Sequence, residues 1–323
     1  MYTKIIDLKD GDNITGYYLV KKSELRIATQ SKKTYIDITL VDKTGEVNAK
    51  LWAADENDLI IFNPGSIVKI NAKVKNWNEK LQLNINKYRN PAPEENIKVS
   101  DFVPSAPIPA QDLYDYMYET IKSFKDEELR LIVTSLVNDK KDKLMVYPAA
   151  KSFHHSVRSG LLYHIYRMLK LAKAMATVYE NVNLDLLCAG VILHDLYKTE
   201  EMNISDVGLV TDYSPAGNMI GHISLGVSGI ETKAKELHID SEVVLLLKHM
   251  VLSHHYYPEY GSPVFPMFLE AELLHYIDVV DARVYDFTEN YEKLNSGEIS
   301  QPVFSLDRRR IYRPSFVKTK RDN

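Results

Sequence analysis

The residues best placed to do chemistry are His194 and Asp195, adjacent at the polar end of the apolar run Leu186-Leu-Cys-Ala-Gly-Val-Ile-Leu-His-Asp-Leu-Tyr-Lys198. An imidazole beside a carboxylate can hold one metal ion and bridge to a second. All ten histidines lie between His154 and His275, and the first 153 residues contain none. Scattered structural use of histidine would not concentrate it in this way. The chemistry implied is metal-assisted hydrolysis of a phosphoester, which needs imidazoles and at least one carboxylate converging from separate helices.

Those groups fall one or two to a segment. His164 lies in Gly160-Leu-Leu-Tyr-His-Ile, His222 follows Gly221, and His254 and His255 close the apolar stretch that starts at Glu242. Asp278 sits on a largely apolar helix, where an unpaired carboxylate would be costly. Asp281, three residues on, competes with it for the same duty, and Asp278 is preferred. Lys198 falls one turn beyond His194 and could reach a phosphate oxygen or simply complement a helix end. Arg158, ahead of His164, is a similar candidate for the scissile phosphate. His154 and His155 suit substrate contact, His238 reads as a surface residue, and His249 and His275 read as neighbours that pack or orient.

The elements that carry these groups begin near residue 111. Leu113, Tyr116, Met117, Ile121 and Phe124 recur at helical spacing, and further helices are expected over 127–138, 156–178, 184–198, 220–236, 241–255 and 266–295. The front of the chain reads differently. Tyr35–Asp42 and Val47–Trp52 alternate apolar and polar residues around the turn 43–46. Strands are also expected over 13–21, 66–75 and 81–86, with a short helix near 54–60, which makes a five-stranded barrel of the OB type. Five of the thirteen prolines fall in 91–109, the pattern of a linker. The expected architecture is an all-β barrel over 1–90, a Pro-rich linker over 91–110, an all-α domain over 111–300 and a basic tail over 301–323.

Charge is uneven. The net −4 splits into +4 over residues 1–90, −13 over 91–300 and +5 over 301–323. Basic ends around an acidic, histidine-rich centre suit a polyanion guided to a metal site. On the barrel, Tyr35, Trp52 and Trp77 with Lys33, Lys50 and Lys75 are candidates for stacking bases and holding the backbone of a single strand. No apolar run reaches the 18 residues of a membrane helix, and no secretory leader is evident, so no membrane partner is expected. The lone Cys188 cannot form an internal disulfide, which fits a reducing cytoplasm, and it reads as a small buried hydrophobe rather than a nucleophile. Long apolar helix faces lead us to expect a homo-oligomer.

The order His164, His194-Asp195, His222, His254-His255, Asp278 resembles the HD-domain superfamily of metal-dependent phosphohydrolases. With an OB-type barrel in front, the chain resembles the YhaM family of bacterial 3′-to-5′ exoribonucleases across nearly its whole length. The resemblance implies that His164, His194, Asp195 and Asp278 hold a first ion and that Asp195 bridges to a second held by His222, His254 and His255. It implies manganese, although the donor set also suits iron, cobalt or zinc. Exonucleolytic 3′-to-5′ hydrolysis of single-stranded RNA, and also of single-stranded DNA, to nucleoside 5′-monophosphates rests on the resemblance alone. Two other functions remain open. One is a small-molecule phosphodiesterase or nucleotidase, although His254-His-Tyr-Tyr-Pro-Glu-Tyr-Gly261 lacks the Gly-Tyr-Pro signature of the cyclic-dinucleotide branch. The other is a non-catalytic nucleic-acid-binding factor that uses metal structurally.

Overall fold

The computed structural model describes residues 3–28, 32–78, 80–97, 101–150, 156–205, 208 and 210–318. Contacts divide the chain into two compact units, Met1–Ser105 and Ala106–Ile204 with Gly208–Asn323.

In the first unit, β1 (Asn13–Ile27), β2 (Thr34–Asp42), β3 (Gly45–Trp52), α1 (Asp58–Ile61), β4 (Ile67–Trp77) and β5 (Lys80–Arg89) follow in order. The strands close into a barrel in the order β1-β2-β3-β5-β4, with β3 and β5 parallel and the other pairs antiparallel. Alternation decides which side faces in. Val47, Ala49 and Leu51 are buried while Asn48, Lys50 and Trp52 turn outward. Ile36, Ile38, Leu40, Val68, Ile70, Val74 and Leu83 complete the interior. All five strands and the short helix were foreseen; β1 runs farther than expected, past a bulge between Val20 and Lys22.

The second unit is helical. It contains α2 (Ala110–Lys122), α3 (Glu127–Asp139), α4 (Lys141–Leu144), α5 (Gly160–Ala176), α6 (Leu184–Leu193) and α7 (Lys198–Glu201). A small hairpin, β6 (Met202–Ile204) with β7 (Val210–Tyr213), precedes α8 (Pro215–Met219), α9 (Gly221–Glu236), α10 (Glu242–Ser253) and α11 (Leu269–Tyr291). Every residue from Leu186 to Leu193 is buried, because α6 is apolar all round and α2, α3, α5, α10 and α11 pack about it. Asn183 caps its start by accepting from the Leu186 amide, and its own amide donates to buried Glu270 on α11.

The structure differs from expectation in four places. α5 starts at Gly160, not 156, behind a left-handed Ser159. The helix expected over 184–198 breaks after Leu193 into a turn that carries His194 and Asp195. The described part of the basic stretch after 300 packs against α11: Leu294, Leu306 and Ile311 cluster with Phe287 and Tyr291, and buried Arg313 donates to the Leu294 carbonyl at 2.6 Å. Phe102 and Val103, inside the expected linker, are fully buried. Among the described residues, no helix is long and apolar enough to cross a membrane.

Candidate metal centre

Side chains from five separate places in the second unit meet around Asp195. His164 comes from the second turn of α5, His194 and Asp195 from the turn after α6, and His222 from the start of α9. His254 and His255 come from the turn after α10, and Asp278 from the middle of α11. Gly221 makes the approach to His222 possible, since its φ of +75° is open to glycine at little cost. Ligand atoms of His164, His194 and Asp278 lie within 4.8 Å of one another, as do those of Asp195, His222, His254 and His255. His164, His194, Asp195 and His254 are at most 2% exposed.

The imidazoles share one orientation. Each directs Nδ1 outward to an acceptor: His194 to the Val191 carbonyl at 2.8 Å, His254 to Val251 at 2.7 Å and His255 to Tyr260 at 2.6 Å. His164 Nδ1 meets Asp281 at 2.8 Å, and His222 Nδ1 meets Glu201 at 3.0 Å. A neutral ring that donates from Nδ1 presents a lone pair at Nε2. The Nε2 atoms of His194, His222 and His254 and Oδ1 of Asp195 are buried without a hydrogen bond among the described residues. His222 Nε2 stands 3.2 Å and His254 Nε2 3.8 Å from that carboxylate oxygen. Lone pairs facing lone pairs repel, and a cation between them removes the conflict. The donor set therefore fits metal, in the arrangement where an outer acceptor fixes each ring.

Charge follows the same layout. Burial pushes the Asp195 carboxyl up, but the Lys198 ammonium and the His194 and His222 rings outweigh it and hold the group well below the usual range. Burial likewise opposes charge on His164, yet hydrogen bonds to Asp278 and Asp281 hold it up at about 9. His254 lies well below its ordinary value because it is buried and faces His255 and His194. The two competing carboxylates take different positions. Asp278 reaches His164 Nε2 at 3.2 Å, on the inner side, whereas Asp281 sits behind the ring and pairs with Arg167 Nε at 2.6 Å.

Lys198 Nζ lies 2.6 Å from Asp195 Oδ2 and lines the cleft that opens onto the cluster. Arg158 does not line that cleft; its side chain lies against Gly208, and its Nη1 is buried without a hydrogen bond among the described residues. His154 and His155 fall outside the described residues. His238 is exposed, His249 accepts from the Met267 amide, and His275 Nδ1 meets the His254 carbonyl. Sequence reasoning missed Glu201 and Arg167. Glu201 is held by an unusual contact: Gly217 approaches so closely that an added Cβ would sit 2.0 Å from the Glu201 carbonyl oxygen. Within Lys198-Thr-Glu-Glu201 the residue looks like part of any solvated helix end.

On the barrel, strand register gathers the other candidates on one outer face. Tyr35 pairs with Trp52 on adjacent strands, Lys50 with Asn84, Asn84 with Lys73 and Gln82 with Lys75. The Tyr35 and Trp52 rings are 5.0 Å apart, and Lys50 Nζ lies 5.0 and 5.5 Å from their centroids. Trp52 is 45% exposed and therefore does not fill the barrel; Trp77, ending β4, is 66% exposed. Lys33 immediately precedes β2.

Residues 19–91 match the model of an OB-fold nucleic acid binding domain, and residues 161–283 match that of the HD domain. An OB barrel followed by an HD domain defines the class. Whole-chain similarity is narrower. The chain is 41% identical to the 3′-5′ exoribonuclease YhaM of Bacillus licheniformis and 40% identical to that of Bacillus subtilis, each over 95% of this chain and 97% of the relative. It is 38% identical to the YhaM of Listeria welshimeri over 98% of this chain and 100% of that one. The chain belongs to the YhaM family of 3′-5′ exoribonucleases.

Proposed function

We propose that the chain is a metal-dependent exoribonuclease that shortens single-stranded RNA from its 3′ end and releases nucleoside 5′-monophosphates, with single-stranded DNA as a second substrate. The observation that carries this reading is the convergence of inward Nε2 atoms on Asp195, at the floor of an open cleft. The activity named for the relatives supports the substrate and the direction.

His164, His194, Asp278 and Asp195 would hold one ion, and Asp195, His222, His254 and His255 the other. Divalent cations there, manganese by family resemblance, supply Lewis acidity toward the phosphoryl oxygens and an activated water. The chain's own residues do the rest. Asp281 and Glu201 hold the His164 and His222 rings to their tautomers. Lys198 neutralises part of Asp195 and stands at the cleft to face a phosphate oxygen. Tyr35, Trp52 and Trp77, with Lys50 and Lys75, take the strand on the barrel. A buried free Cys188 suits a cytoplasmic setting. The exposed apolar strip Tyr276, Val280 and Val284 on α11 supports a homo-oligomer.

Incubation of 5′-labelled single-stranded RNA with manganese and either wild type or Asp195→Asn tests the reading. A ladder shortening from the 3′ end is expected with wild type alone. Binding without cleavage in both sinks it in favour of a binding factor, and turnover of free nucleotides without loss of RNA favours a nucleotidase.

A further inference from the structure

Two cavities lie along α11. Asp278, Val279 and Ala282 line the cleft over the cluster, whereas Val280, Asp281 and Val284 line a pocket of about 520 Å³ walled on its other side by α5. That volume lies within the range of about 300–1,000 Å³ that holds one small ligand. The pocket has no part in the exonuclease mechanism proposed above. It is nevertheless tied to the metal centre by one carboxylate: Asp281 Oδ1 takes Arg167 Nε at 2.6 Å, and Asp281 Oδ2 meets His164 Nδ1 at 2.8 Å.

Residues of α5 give the pocket its chemistry. Tyr163 and Tyr166, one turn apart, hold their rings within 15° of parallel with centroids 6.5 Å apart. Tyr116 of α2 meets Tyr166 edge-on at 4.8 Å and braces it. Arg167 Cζ lies 5.7 Å from the Tyr163 centroid and Lys170 Nζ 5.4 Å from that of Tyr166, so each ring has a cation beside it. A guanidinium has five N–H donors, and those of the Nη atoms remain once Nε is given to Asp281. Among the described residues lining the pocket, Asp281 is the sole carboxylate, and Lys170 pairs with no carboxylate among the described residues. Arg167 and Lys170 against Asp281 leave the lining with one excess positive charge.

We propose that this pocket is a second nucleotide site, with the base laid on Tyr163 and Tyr166 and the phosphate taken by the Arg167 Nη atoms and Lys170 Nζ. Stacking on tyrosine accepts any base, and the guanidinium fork matches a phosphate. The cations stand beside the rings at a separation that a single ribose spans. Val280 and Val284 belong to the α11 strip offered above to a second copy, so a nucleotide here competes with that contact. A free nucleoside 5′-monophosphate and one nucleotide of a strand passing over α5 offer the same chemistry, and the test separates them. The site goes beyond the exonuclease reading and does not depend on it.

The test is titration calorimetry of the manganese-loaded full chain with AMP, adenosine and inorganic phosphate, in wild type and Lys170→Ala. Lys170 is exposed, so its truncation leaves the fold intact. AMP is expected to bind wild type at a site that Lys170→Ala weakens about fivefold, the upper range for one solvent-exposed charge pair, with manganese affinity unchanged. That result assigns the pocket to free nucleotide. If AMP binds both proteins alike but Lys170→Ala raises KM for a long RNA by the same factor at constant kcat, the occupant is a nucleotide of the strand. Phosphate or adenosine alone binding the Lys170-dependent site as tightly as AMP overturns the proposal, since the site is then not one for a nucleotide. Equal AMP binding and equal KM in the two proteins also overturn it and leave the exonuclease reading standing. If no RNA is shortened, the exonuclease reading fails and the AMP titration alone decides this one.

Discussion

On the barrel, Tyr35, Trp52 and Lys50 share an outer face open to solvent, held by tilted ring contact, by Lys50 over both rings and by a hydrogen bond from Trp52 Nε1 to Asn84 at 3.1 Å. In the helical unit, His164, His194 and His254 are sealed from solvent, and each ring is fixed by an outward acceptor. On the proposed function, the two regions would handle a nucleic-acid strand by different physics. A stacking platform adds small, interchangeable increments and tolerates motion of its rings. A cluster of lone pairs gathered for a cation works only when every ring keeps its tautomer and angle. Substitutions on the barrel should therefore weaken binding by degrees, and substitutions behind the imidazoles should cause loss out of proportion to their size.

The largest expected effect lies behind a ring. Asp281→Asn keeps the shape but cannot hold His164 as a carboxylate does, and Glu201→Gln does the same to His222. Each should lower manganese affinity by about 10–100-fold, read by titration calorimetry. Loss of less than twofold in both would erase the contrast. On the barrel, Trp52→Ala should raise KM for single-stranded RNA by about five- to tenfold with kcat unchanged, at the low end of about 1–3 kcal/mol per stacked base. The low end applies because Tyr35 and Lys50 already cover part of the ring. A fall in kcat would mean that the barrel does more than hold the strand.

A further expected effect is on stability and depends on pH. In metal-stripped protein the His164 ring is raised from 6.5 to about 9 by its carboxylate partners. A raised folded-state value means the protonated ring stabilises the fold fully below pH 6.5, and this contribution is lost as pH rises through about 9. Tm of the stripped protein should fall across that window. Metal loading, which expels the same proton, should flatten the slope. A slope that persists with metal present would remove His164 from the ligand set.

Much of this was legible in sequence because it depends on local periodicity. The alternation of Val47 to Trp52 sets an inner and an outer side without any knowledge of the partner strands, and the apolar run of Leu186 to Leu193 marks the central helix. The order of histidines identifies the candidate ligands. Their outward partners were less legible, since they depend on how distant helices cross. Asp278 and Asp281 share one face of α11, and only the placement of the His164 ring from α5 tells inner from outer. Glu201 becomes distinctive only once the Gly217 backbone packs on it and α9 brings His222 within reach. The fold of residues 299–317 onto α11 was hidden for a similar reason. Its arginine run marks it as basic, but the apolar contacts come from Leu306 and Ile311.

His194 and His254 each follow the last residue of a helix and bond the carbonyl three positions back. A helix end leaves its last carbonyls without amide partners. Here the imidazole that would bind metal also serves as the plug for its own helix end. Replacement of either histidine would thus uncap a buried helix as well as remove a ligand. Drift at these positions is penalised twice, and a lineage that gave up the chemistry would still have a structural reason to keep the rings.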